Sequence, residues 1–180
     1  MPRRIFVDTE WTAPPWSDRC ALMWIGLADE AGGVWWGVSD AVPVDPPADA
    51  PLAGASRLIG PGVPRLSAAQ LADGVRGFCG QVDEFWAWIP PLDRFAAWFR
   101  LNDAAAPALY ARHRDVDLHM LQALVTPWPA GWPRLVHDLQ AAAIAGGVEP
   151  PPRAADHLHP RVHATWDRTL FQRIQAAGGA

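Results

Sequence analysis

The stretch "IFVDTEW" (residues 5–11) decides how this chain is read. Ile5, Phe6 and Val7 form a short apolar run, bounded upstream by Pro2, Arg3 and Arg4, and predict a buried strand. Side chains alternate across a strand, so Asp8 and Glu10 point to the same side. Two ionised carboxylates on one face repel, and taking them out of water is costly unless a cation or hydrogen-bond donors compensate. Either the strand simply ends here with both acids solvated, or the pair begins a divalent-metal site that draws further carboxylates from elsewhere.

Outward from this strand, "CALMWIGLAD" (20–29) is an apolar run of strand length, "EAGG" a turn and "VWWGVSD" (34–40) a return strand. Together they predict a three-stranded antiparallel meander. Residues 41–66 are rich in Pro and Gly and read as an irregular excursion. A helix is expected from Ser67 as N-cap, and another from Pro91, with Phe95, Trp98 and Phe99 making an apolar stripe. "APALYARH" (106–113) reads as a strand and "DVDLHMLQALV" (115–125) as a helix. "RLVHDL" (134–139) reads as a short strand or turn running into helical "QAAAIAGG". The last helix is expected over 160–177, with Pro160 at its first position and His159 as a cap. The order predicts an α/β domain with a mixed sheet, three antiparallel strands followed by parallel ones, flanked by helices.

Length and composition set bounds. A chain of 180 residues suits one domain, expected over 1–180, and half its residues are apolar, which argues against disorder. Its 11 Trp and 19 Pro are well above ordinary usage. Every basic side chain is Arg, and a net charge of -4 excludes a broad polyanion-binding surface. A nucleic acid would have to be held over a short length, through metal and a few Arg. Cys20 and Cys79 make neither a disulfide framework nor a zinc site. No leader opens the sequence and no apolar run spans a bilayer, so a cytoplasmic protein with no membrane partner is expected.

Further carboxylates follow in order. In "LYARHRDVDLHML" an apolar run leads to His113 and then Asp117 at a helix start; in "HATWDRTLFQRI" His163 and Asp167 fall one turn apart on one helix face. Asp93 in "FWAWIPPLD" competes with Asp117, since that segment also reads as strand then Asp.

These segments resemble the DEDD 3′–5′ exonucleases, of RNase H-like fold. Within them the chain is most similar to RNase T-like exoribonucleases, notably the small actinobacterial group acting on adenylate-rich RNA. "FVDTEW" and "MWIGLADEAGGVWWGVS" look like that group's first motif and meander, "LYARHRDVD" like its second motif, and "RLVHDLQ" like its connecting strand. The resemblance covers most of the chain, with residues 41–100 similar only in helical character.

The resemblance implies that Asp8, Glu10, Asp117 and Asp167 hold two divalent cations, Mg²⁺ or Mn²⁺, and that the RNA backbone is hydrolysed from its 3′ end. Thr9, Trp11 and His113 are then expected against the substrate, a single-stranded RNA 3′ end or, alternatively, DNA or a short oligonucleotide. Trp11, directly after the acids, suits base stacking, whereas Trp166 reads as core. A homodimer is also implied. His163 is expected as general base, but the chain departs from the pattern. The His subgroup places its His five residues before the last Asp, where this chain has Val162; His163 lies four before Asp167, the spacing of the Tyr subgroup. His159 therefore stays open as the base, and a non-catalytic module on the same fold stays open as the function.

Overall fold

A computed structural model describes residues 2–13, 17–18, 20–49, 53–99, 108, 110–111, 114–153 and 159–178. Strand β1 (Arg4–Trp11) is flanked antiparallel by β2 (Leu22–Asp29), which continues antiparallel into β3 (Val34–Ser39). This is the expected meander, and it forms because 5–7 and 24–28 are apolar stretches buried on both faces, with the 37–39 end of β3 buried beside them. The excursion that follows is less irregular than expected. It contains helix α1 (Ala53–Ile59) and a two-residue strand β4 (Arg65–Leu66) parallel to β3.

Helix α2 (Ala68–Cys79) starts at Ser67, whose side chain accepts from Gln70 N while the Gln70 side chain accepts from the Ser67 N–H, a closed capping box. Strand β5 (Glu84–Ala87) then pairs parallel with β1, and β6 (Val136–Asp138) pairs parallel with β5. The six-stranded sheet runs β4-β3-β2-β1-β5-β6. The other helices with described bounds are α3 (Leu92–Phe99), α4 (Val116–Leu124), α5 (Leu139–Ala145) and α6 (Pro160–Ala176). Asp138 caps α5 by accepting from Gln140 N and Ala141 N, and His159 caps α6.

One expected element is corrected. Within the segment 106–113 expected as a strand, the described positions 108, 110 and 111 are helical, the rest lies outside the described residues, and β5 takes the place beside β1. An apolar run rich in Ala, Leu and Arg suits a helix at least as well as a strand.

Alternation along β1 sends its side chains to two separate cores. Ile5 and Val7 join Ile25, Leu27, Leu71, Val75, Leu118 and Leu121 beneath α2 and α4. Phe6 joins Leu139, Ala143, Ala164, Leu170, Phe171 and Ile174 beneath α5 and α6. Complete burial of each such side chain is worth about 1.5–3 kcal/mol, which locks the register of β1 and so fixes where Asp8 and Glu10 emerge. No helix among the described residues is long and apolar enough to cross a membrane.

Candidate metal centre

Asp8 and Glu10 lie on the Phe6 side of β1 and face the start of α6. Two features of the sheet make room for them. Strand β5 follows β1 only from Arg4 to Phe6, so among the described residues the β5-facing edge of β1 has no strand partner beyond that point. The β1–β2 register shifts between Glu10 and Trp11, a bulge that ends the regular ladder just after the second acid.

Helix α6 comes in very close. Gly26 is the register partner of Asp8 on β2, and a Cβ built there would lie 2.1 Å from the carbonyl oxygen of Pro160 and 3.3 Å from the Ala164 Cβ. Only a residue without a side chain lets the first turn of α6 lie on the strand here. That approach brings His163, a buried residue, onto the acids. Its Nδ1 is 2.8 Å from Asp8 Oδ1 and 3.8 Å from Glu10 Oε1. One turn on, Asp167 is 3 % exposed, and its Oδ2 has no hydrogen-bond partner among the described residues; neither has Asp8 Oδ2.

Asp117 arrives from the other side of the sheet, in the first turn of α4. Its Oδ1 accepts from the Thr9 N–H at 2.8 Å and from the Thr9 hydroxyl at 2.6 Å. The Thr9 oxygen in turn accepts from the Trp11 indole N–H at 2.9 Å. Thr9 is buried, so it acts here as a tie between β1, α4 and Trp11. Asp93 lies elsewhere, exposed in the first turn of α3. His113 is outside the described residues.

The charges in this cluster are out of balance. Burial, then repulsion from Asp8, pushes Glu10 up to about 8. The same two causes hold Asp117 and Asp167 well above the usual carboxylate range, although the Thr9 bonds pull Asp117 back in part. Burial favours neutral imidazole at His163, but the Asp8 carboxylate outweighs it and raises the ring to about 9. Among the described residues a second cation here is Arg153, whose guanidinium lies 3.1 Å from His163 Nε2. Guanidinium can only donate, so this contact is a hydrogen bond when the ring is neutral, with Nε2 accepting and the one ring proton on Nδ1, facing Asp8. Full protonation of the ring would set two N–H groups against each other and displace Arg153.

Sequence reasoning missed Gly26 and Arg153. A single Gly inside the apolar run "LMWIGLAD" is a signal of close backbone approach. Arg153, in the loop "EPPPRAAD", carries no such signal, because its role arises only when that loop meets α6. His159 sits at the N-cap of α6, its Nδ1 accepting from Arg161 N at 3.2 Å and its ring edge-on to Trp36 at 4.7 Å. Trp166, half-buried, packs against Trp88 at 5.3 Å and donates to the Pro151 carbonyl.

Asp8, Glu10 and His163 bring one ligand atom each to within 4.8 Å of the others, a group able to hold a metal ion. The donor set fits a hard divalent cation: carboxylate oxygens with two buried oxygens unpartnered among the described residues, and too little positive charge nearby to ionise all the acids. No protein-family model matches the chain, and no curated protein matches it.

Proposed function

We propose that this chain is a metal-dependent 3′–5′ exoribonuclease of the DEDD type on an RNase H-like fold. The observation that carries the reading is the gathering of Asp8, Glu10, Asp117, His163 and Asp167 from β1, α4 and α6 at one sheet end, with carboxylate oxygens left bare. Crevices outside the carboxyl ends of strands are where open α/β sheets bind ligands.

In this reading Asp8, Glu10, Asp117 and Asp167 hold the divalent cations. Bound there, the cations would supply activation of water and neutralisation of charge on the phosphodiester. The chain's own residues do the rest. Thr9 fixes the rotamer of Asp117 through two hydrogen bonds. Gly26 lets α6 set His163 and Asp167 against Asp8. His163, no longer raised once a cation neutralises the Asp8 charge, takes the proton of the attacking water on its imidazole. Trp11, held at its indole N–H by Thr9, offers its ring to the terminal base.

A second reading is favoured by one observation. The His163 ring lies 2.8 Å from Asp8, where an internal group satisfies part of the negative charge. A non-catalytic nucleic-acid-binding module would use His163 in that way permanently. Incubation of the purified chain with end-labelled homopolymer RNAs and DNA, in Mg²⁺, Mn²⁺ or chelator, separates the readings. Metal-dependent shortening of RNA from the 3′ end supports the first. Shortening of DNA alone moves the substrate class. No cleavage, together with weak Mn²⁺ binding, supports the module.

A further inference from the structure

We propose that a cavity next to the metal centre binds a nucleoside monophosphate, a flat aromatic ring carrying a phosphate. The cavity has a volume of about 350 Å³, and its described walls include Trp88, Trp166, Arg94, Arg153, Gln140 and Pro151. Pockets that enclose small ligands start at roughly 300 Å³, so a mononucleotide is near the upper size that fits.

The wall chemistry selects the class. Trp88 and Trp166 meet edge-to-face, 5.3 Å apart with planes at 81°, a corner of two aromatic surfaces. Arg153 lies over the Trp166 ring at 4.4 Å and over Trp88 at 6.0 Å. The Trp166 indole N–H is fixed on the Pro151 carbonyl at 3.0 Å, so this wall is set before a ligand arrives. Arg94, on α3, brings a second guanidinium. Among the described lining residues the charged side chains are Arg94 and Arg153, with no carboxylate. Two guanidiniums suit a phosphate, aromatic and guanidinium faces suit a base, and Gln140 can donate to and accept from a base edge.

The cavity also touches the chemistry described above. Arg153 donates to His163 Nε2. A phosphate bound to Arg153 competes with His163 for that guanidinium, so occupancy of the cavity is felt at the imidazole.

The test is calorimetric titration of the full chain with AMP in excess chelator, which removes the metal centre as a site and needs no activity. AMP should bind, adenosine should bind about tenfold more weakly, and Arg94→Gln should lose a similar factor, as expected when a charge-assisted bond to phosphate is removed. Arg94 is exposed on its helix, so the variant should fold; if it does not, the AMP-against-adenosine comparison decides alone. Three results would overturn the proposal. AMP at millimolar concentration gives no heat, or AMP and adenosine bind equally, or AMP binds only with Mn²⁺ present. A short oligoadenylate that binds through Arg94 when AMP does not would also overturn it, assigning the cavity to an internal nucleotide of a strand. The exonuclease reading stands or falls separately, on cleavage.

Discussion

The Pro160 carbonyl oxygen occupies the space where a side chain on Gly26 would begin. Because Gly26 is the register partner of Asp8, this one backbone approach sets the distance between the acids of β1 and the groups of α6. Gly26→Ala must push the start of α6 outward. Overpacking of this kind costs about 1–3 kcal/mol, and Mn²⁺ affinity should fall with it. Thermal melting and Mn²⁺ calorimetry on the same preparation check both; unchanged values in both would show that α6 tolerates the shift.

Asp167→Asn should stabilise the metal-free protein at pH 8 and abolish hydrolysis. The acid is buried, repelled by Asp8 and partnerless at Oδ2 among the described residues, so ionising it costs folding free energy. The amide keeps the shape and removes the charge. A melting temperature above wild type in chelator, with no RNA shortening in Mn²⁺, is the expected pair of results.

Metal-free stability should fall as pH rises. Glu10 in the folded chain titrates at about 8 against an ordinary 4.5, and His163 at about 9 against 6.5. Asp117 and Asp167 are raised as well. Groups with raised values bind protons more tightly in the folded state, so their contribution is complete below the ordinary value and is lost as pH passes the raised one. Melting in chelator should therefore weaken from about pH 4.5 to about 9, and Mg²⁺ or Mn²⁺ should restore it most at the alkaline end. A flat or rising profile in chelator would contradict the charge imbalance.

Thr9→Val should cost about 1–3 kcal/mol, since it leaves Asp117 and the Trp11 indole N–H each short of a partner. Thr9→Ser keeps the hydroxyl and should recover most of the loss. Urea unfolding of the two variants makes the comparison, and RNA shortening by Thr9→Val should drop in parallel.

His163→Ala should lower turnover by about two to four orders of magnitude if the ring accepts a proton in the reaction. His159→Ala removes a helix cap and should cost about 1 kcal/mol of stability with turnover largely kept. Single-turnover rates for both variants in one buffer decide it. A collapsed rate for His159→Ala with a wild-type rate for His163→Ala would exchange the two roles.

Much of this arrangement can be read directly from local chemistry. The meander shows because its apolar runs have strand length and are separated by a Gly-rich turn, and α2 shows because Ser67 and Gln70 form a capping box. The strand after the meander does not show. "EFWA" is only four residues long and runs into Pro90 and Pro91, whereas the longer run at 106–113 looks a better strand and is helical where described. Helix α1 is hidden by Gly54 and the Pro-rich flanks of its seven residues. Asp117 is visible as an acid at a helix start, but its tie to Thr9 depends on where β5 stops pairing with β1. Arg153 has no local signature, since its partners His163 and Trp166 are met only in the folded chain.

The acids of β1 are made early and the groups of α6 late. A chain still emerging from the ribosome carries Asp8 and Glu10 before His163 and Asp167 exist to face them. The centre cannot close until α6 has left the exit tunnel and settled on Gly26. A centre assembled in this order has no cation-binding geometry until its last helix is in place.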